Sequence, residues 1–300
     1  MMDNQELSVK RLIDIKDSTL QYSPTYMTKN DKEKNMPNIE KTFVEFAFSN
    51  INPNKLSFSF TWDDNFERHI KYIAPIFDKY HKKCTFYINP GEPDFKGQLQ
   101  SGYNMLAHRG FEIGSHGYTH HHFSHLSSYD YSCQLIKSRE LIGLLLGTSP
   151  VTFAFPHHDY TPEMLEQAKT IYFETRNTLN NSQRFSLKSY TTSSEIQSVV
   201  QNAISSGRSI VFSGHSIRLN SINDIIDGYE PVSIDVLNDA ISIILKNHAI
   251  AEICTFCQAA LKTYIKTNCV YTNEAVSISK EQIAYLKRFG LTPRRIEELI

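Results

Sequence analysis

From residue 55 the chain alternates short apolar runs with amphipathic stretches. KLSFSFTW (55–62) and KCTFYINP (83–90) read as strands, and NFERHIKYIAPIFDKYH (65–81) between them reads as a helix. The pattern repeats with GYNMLAHRG (102–110) as a helix, FEIGSH (111–116) as a strand and YDYSCQLIKSRELIGLLLG (129–147) as a helix stopped by Gly147. VTFAFP (151–156) reads as a strand, TPEMLEQAKTI (161–171) as a helix opened by a Thr-Pro cap, and SSEIQSVVQNAISSG (193–207) as a helix. SIVFSGH (209–215) and IAEICTF (250–256) are strands, each followed by a helix, SIDVLNDAISIILKNH (233–248) and FCQAALKTYI (256–265). Strand, helix and parallel strand in succession predict α/β architecture. About six or seven such units fit between 55 and 266, fewer than the eight of a complete barrel, so a distorted or incomplete barrel is expected.

The ends of the chain differ in texture. Residues 1–40 are polar and interrupted by prolines, which predicts a short helix or two and a loose arm. Residues 272–300 form a helical tail: Ser279 with Gln282 makes a capping box, Gly290 stops that helix, and Pro293 opens another. The expected division is an arm over 1–50, a barrel over 51–270 and the tail over 271–300. The tail is expected to pack on the barrel or on a partner chain, the latter making a homo-oligomer.

Lysine plus arginine (31) nearly balances aspartate plus glutamate (32), so no basic field attracts nucleic acid. No run of about 18 apolar residues occurs, so no transmembrane segment is expected. The opening MMDNQELSVKRLIDIKD lacks the layout of a signal peptide, and five scattered cysteines suit reduced thiols; both point to a cytoplasmic setting. The Cys254–Cys257 pair has no second pair beside it and reads as two small buried residues.

In parallel α/β folds the chemistry gathers at the carboxyl ends of strands. The polar residues that end the predicted strands are Asp63-Asp64-Asn65, His116, Pro156-His157-His158-Asp159 and His215, and parallel strands bring them to one mouth. Two adjacent carboxylates repel and call for a cation or a proton; alternatively they cap the helix that follows. Five of the twelve histidines fall in SHGYTHHHFSH (115–125). His116/His120 and His121/His125 both have the four-residue spacing that offers two imidazoles to one metal. His116 directly follows a strand, which selects the 116/120 pair and leaves His121, His122 and His125 as solvated or supporting residues. One acid and two histidines make the ligand set of a hydrolytic divalent metal that keeps positions open for water.

In this order the residues resemble the polysaccharide deacetylases, the NodB-homology or carbohydrate esterase family 4 enzymes. The T-F-D-D-G motif stands as Thr61-Trp62-Asp63-Asp64-Asn65, and H-[S/T]-x-x-H as His116-Gly117-Tyr118-Thr119-His120. The resemblance covers about residues 55–265 and implies an irregular (β/α)7 barrel. By it, Asp64, His116 and His120 hold one divalent metal (Zn2+ first, then Co2+ or Ni2+), Asp63 is the general base, and His215 in Ser213-Gly214-His215 is the general acid. The R-x-P-x-G motif falls on Ala154-Phe155-Pro156-His157-His158, so the arginine that orients the base is absent there. Pro156, His157, His158 and Tyr160 then line the substrate cleft, with the His157 amide facing the oxyanion. No D-x-x-D-W motif is found; TRNTLNNSQRF occupies that region. Gly117 replaces a hydroxyl residue, and Thr119 is expected to take over its hydrogen bond. Trp62 is expected to be a packed strand residue filling the barrel.

The function expected from this resemblance is metal-dependent removal of N-acetyl groups from an amino sugar or saccharide. The alternatives are a deformylase or cyclic-imide amidohydrolase of the same superfamily, or a weakly active carbohydrate-binding barrel.

Overall fold

The computed structural model describes residues 43–219 and 230–300. Of the segment read as an arm, residues 1–42 lie outside the described residues, and Phe43–Ala47 form strand β1. The strands that follow are β2 (Leu56–Asp63), β3 (Thr85–Ile88), β4 (Glu112–Ser115), β5 (Thr152–Phe153), β6 (Glu174–Thr175), β7 (Ser182–Ser186) and β8 (Ser209–Gly214). Two-residue strands β9 (Ile217–Arg218) and β10 (Val232–Ser233) pair with each other, and β11 (Ala251–Ile253), β12 (Val270–Tyr271) and β13 (Ala275–Ser279) complete the set.

One parallel sheet carries the order β6-β5-β4-β3-β2-β8-β7, with β11 paired to Leu56–Phe58 at the start of β2. β6 and β7 are its edges and do not pair, so the curled sheet stays open between them. This is the incomplete barrel that the repeating pattern predicts. Helices α1 (Ala74–Lys79), α2 (Gln98–His108), α3 (Ser128–Leu146), α4 (Pro162–Ile171), α5 (Ser193–Ser206), α6 (Ile234–Lys246) and α7 (Phe256–Asn268) join the strands.

β2 shows how the sequence makes the sheet. Successive side chains point to opposite faces, and Phe58, Phe60 and Trp62 all fall on the side that packs with Ile73 and Phe77 of the helical layer. Trp62 is therefore fully buried against helices on the outer face, not inside the barrel. Each such aromatic contributes about 1.5–3 kcal/mol by leaving water. The opposite face carries Ser59, Thr61 and Asp63, which are buried as well. A strand buried on both faces, polar on the inner one, puts a carboxylate at its carboxyl end.

Two elements are shorter than the apolar pattern predicts. The helix over 65–81 becomes a π turn at His69–Ile73 followed by α1. Pro75 has no N–H for the carbonyl four residues back and its ring crowds that turn, so the coil widens. The strand over 151–156 reduces to β5, because Pro156 turns the chain into a short 3-10 segment. The Thr161 and Gly147 caps read from sequence are in place: Thr161 accepts from the Met164 N–H, and Gly147 closes its helix in the left-handed region, as Gly207 also does.

The C-terminal segment carries its two helices, α8 (Lys280–Lys287) with the Ser279–Gln282 capping box and α9 (Pro293–Leu299). Before them β13 pairs antiparallel with β1 along five residues. Ile283, Leu286, Leu291, Ile296 and Ile300 are buried with Phe256, Leu261 and Ile265 of α7. The apolar face of the tail is thus consumed within the chain, and an oligomer contact through it is not supported. All five cysteines are free, and Cys254 and Cys257 are buried.

Gly114 on β4 sits where a side chain has no room: a Cβ there would lie 2.4 Å from Tyr87 Cε1. Gly114→Ala is expected to lower stability by about 1–3 kcal/mol through overpacking, a fall in Tm of roughly 2–12 °C by circular dichroism. An unchanged Tm would mean that the Tyr87 ring is not fixed by its neighbours.

Candidate active site

The mouth of the sheet is organised by one buried ion pair. Asp63 ends β2 with its side chain 4% exposed, and Arg176, one residue past β6, reaches it with a fully buried guanidinium. Arg176 Nη2 donates to Asp63 Oδ2 at 2.7 Å, Nη1 donates to Oδ1, and Nη1 also donates to Thr61 Oγ1 at 3.1 Å. The fork is bidentate, the strongest geometry for this pair. Burial alone would raise the Asp63 pKa, but Arg176, with a smaller contribution from His116, outweighs it and holds the carboxyl well below its usual range. The Tyr87 ring lies 5.2 Å from the Arg176 guanidinium carbon.

Asp64 is turned away from its neighbour by a left-handed backbone, φ 70°. The next residue, Asn65, exchanges hydrogen bonds with Asn89: Asn65 Nδ2 donates to the Asn89 carbonyl at 2.9 Å, and the Asn89 N–H donates to Asn65 Oδ1 at 3.0 Å. The strand end is thereby tied to the end of β3. The aspartates are not helix caps, since the helical stretch that follows begins at Glu67 and Phe66 holds its N-cap position. Burial, then the Asp63 charge, pushes the Asp64 pKa up to about 6.

His116 and His120 face Asp64. Asp64 Oδ1 lies 3.7 Å from His116 Nε2 and 3.2 Å from His120 Nε2. The three residues offer ligand atoms all within 4.8 Å of one another, the one such group among the described residues. His116 Nδ1 is 2.7 Å from the Ala154 carbonyl, so Nδ1 carries the proton and Nε2 presents its lone pair toward Asp64. Burial pushes the His116 pKa down to about 3 and lowers that of His120, keeping both imidazoles neutral. Asp64 Oδ1 is buried and receives no hydrogen bond. A neutral nitrogen pair around an unsatisfied carboxylate oxygen is a donor set that a divalent cation fits.

The ligand loop is braced from outside. Asn89 Nδ2 donates to the His116 carbonyl, and the His120 N–H donates to Glu92 Oε1 at 2.8 Å. Gln134 takes the Thr119 N–H and returns a hydrogen bond to Thr119 Oγ1, both at 2.8 Å, so Thr119 carries a bracing role with a glycine at 117. A cavity of about 320 Å³ opens beside Asp64 and His120, lined also by Asn89, Glu92 and Asp94.

The structure brings the other expected residues to the same mouth. His215 follows β8 and stands within electrostatic reach of both Asp63 and Asp64. Its carbonyl accepts from His69 Nε2 at 2.6 Å, while His69 Nδ1 accepts from Tyr103 at 2.7 Å and Arg68 holds the Ile217 carbonyl at 3.0 Å. Pro156 is buried, and His157 and His158 both adopt φ 55° in the turn after it. His157 stacks on His122 at 3.8 Å and meets His120 at 4.2 Å; Tyr160 stacks on Phe155 at 4.5 Å. Asp159 takes hydrogen bonds from Ser124 and pairs with His122 at 3.3 Å, joining this turn to the histidine loop. His121 and His125 are exposed.

Sequence reasoning missed Arg176, His69 and Arg68. Arg176 lies in the TRNTLNNSQRF stretch and, with no arginine at 154, is the residue that forks onto Asp63. It follows a strand of only two residues, too short to register as an apolar run.

Residues 50–175 match the family model for polysaccharide deacetylase. A peptidoglycan deacetylase of Helicobacter pylori is 30% identical over 91 residues, 30% of this chain and 29% of that protein. YlxY, an uncharacterised protein of Bacillus subtilis, is 30% identical over 100 residues, 33% of this chain and 30% of that protein. The matched stretches thus span less than a third of either relative. Among solved structures, the Xyl-CE4 domain of a multidomain xylanase from the hindgut metagenome of Trinervitermes trinervoides superposes with a TM-score of 0.51 at 17% identity, covering 76% of this chain and 96% of that one. This likeness establishes the curled parallel-sheet barrel with its surrounding helices.

Replacing Arg176 by alanine strands the Asp63 carboxylate in the interior, which is expected to cost about 3–5 kcal/mol at neutral pH. In the native protein the depressed Asp63 pKa supplies stability above the ordinary carboxylate pKa and loses it as pH falls; in the variant protonation relieves the buried charge. The difference in urea unfolding free energy between the two proteins should therefore narrow as pH is lowered from 7 toward 3. A difference that stays constant with pH would contradict the pairing.

Proposed function

Taking the polysaccharide deacetylase match over residues 50–175 as premise, we propose that this protein is a metal-dependent N-deacetylase of an N-acetylated amino sugar or saccharide. The observation that carries the reading is the division of labour between adjacent aspartates. Asp63 is held ionised by Arg176, and Asp64 is turned toward two neutral histidines. Asp64, His116 and His120 would hold one divalent ion, Zn2+ by the nitrogen-rich donor set. Such an ion, when bound, polarises the acetyl carbonyl and acidifies a water.

The protein's own groups supply the proton traffic and the positioning. Asp63, ionised at every working pH, takes the proton of the attacking water; Arg176 fixes the direction of its lone pairs. The His157 amide faces the oxyanion that develops on the acetyl oxygen. His215 donates the proton that releases the amine, and the bond from His69 to its carbonyl fixes where its loop sits. Pro156, His157, His158 and Tyr160 form the cleft wall beside the sugar.

Acetate release from N-acetylglucosamine oligomers, measured with metal content on the same samples, tests this reading. Asp63→Asn is expected to lower kcat by about 10²–10⁴-fold with metal still bound, and His116→Ala to lose metal and turnover together. No acetate from any N-acetylated sugar with metal loaded would overturn it, and formate in place of acetate would assign the deformylase chemistry.

Zn2+ affinity by chelator competition should weaken by about tenfold per pH unit as pH falls below about 6, because the Asp64 proton must then be expelled. Affinity that is flat between pH 7 and 5 would remove Asp64 from the ligand set.

A further inference from the structure

Arg184 stands on β7, at the edge where the sheet fails to close. It shares a strand face with Ser186, whose Oγ meets Ser213 Oγ on β8 at 3.4 Å, so this is the face that carries the polar barrel interior. Its Nη1 reaches across the opening between β6 and β7 to His158 Nδ1 at 2.9 Å. His158 is neutral, its pKa pushed down to about 4 by burial and then by the charges of Arg176 and Arg184. Arg184 thus donates to an uncharged acceptor, and no described carboxylate pairs with it.

The surroundings oppose that charge even though Arg184 is solvent-exposed. Its pKa is lowered by partial desolvation at the mouth and then by the nearby Arg176 charge. The charge of Asp63 is already spent on Arg176. On the other side of the centre, Glu92 and Asp94 line the cavity beside Asp64. Charge is therefore divided across the mouth, acidic on the β3 side and cationic on the β7 side. A substrate that completes this arrangement carries its negative group toward β7.

We propose that Arg184, braced by His158, is a subsite for an anionic substituent, a carboxylate or a phosphate, on the acetylated sugar. This rests on the deacetylase reading of the same site. A planar guanidinium with one N–H committed to His158 keeps a free edge for a bidentate contact to either oxyanion. Its position one strand beyond the candidate acid places the anionic group to the side of the scissile amide.

The test compares three sugars, N-acetylglucosamine, N-acetylmuramic acid and N-acetylglucosamine 6-phosphate, on Zn2+-loaded full chain. Deacetylation and ligand-observed NMR binding are both measured, for wild type, Arg184→Gln and Arg184→Lys. At least one anionic sugar is expected to exceed the neutral one in kcat/KM and in binding. Arg184→Gln should cut that advantage by about tenfold to a hundredfold, with Arg184→Lys between. Which anionic sugar responds decides between carboxylate and phosphate. Equal binding of all three sugars by wild type, or an equal loss for neutral and anionic sugars in Arg184→Gln, would overturn the subsite and leave Arg184 as a staple across the open seam. Arg184-dependent binding of an anionic sugar without any turnover would keep the subsite and overturn the deacetylase reading instead.

Discussion

Two carboxylates on consecutive residues at the end of a buried strand repel each other, and the site exists because the structure separates their fates. The Arg176 fork neutralises Asp63 inside the barrel. The left-handed backbone of Asp64 swings the second carboxylate out toward His116 and His120. Without the fork, Asp63 would compete with Asp64 for any proton or cation that arrived. With it, one aspartate stays an anion whose charge is already answered, and the other is left with an unsatisfied oxygen facing two nitrogen lone pairs.

The rest of the mouth is held by bonds to backbone. Asn65 and Asn89 tie the ends of β2 and β3, Asn89 reaches the His116 carbonyl, and Gln134 pins both the amide and the hydroxyl of Thr119. The loop after β8 is fixed through the carbonyls of His215 and Ile217, gripped by His69 of the π turn and Arg68 just before it. That arrangement sets the position of His215 through its backbone carbonyl, with no D-x-x-D-W segment in the chain. The π turn forced by Pro75 carries one of the two residues of that grip.

Much of this was legible in the sequence. The alternation in KLSFSFTW placed β2 within one residue, and Asp63, Asp64, His116 and His215 were reached by asking what ends each strand. Four-residue spacing fits two histidine pairs, and the strand-end position of His116 selects His120 over its histidine neighbours, which the structure leaves outside the ligand group. What escaped did so for physical reasons. β6 has two residues and no room for a periodic signal, so the arginine behind it was invisible. The pairing of β1 with β13 joins positions more than 200 residues apart, and local pattern says nothing about such partners. Arg184, like Arg176, gains its meaning only from where the open sheet brings it.

Carbon-13 NMR titration of the aspartate carboxyls in metal-free protein, with Asp63 and Asp64 assigned by substitution, addresses the separated fates most directly. Asp63 should remain ionised down to the lowest pH at which the fold survives, while Asp64 titrates near 6 and ceases to titrate when Zn2+ is added. An Asp63 that titrates near neutrality, or an Asp64 whose titration ignores the metal, would contradict the assignment of base and ligand.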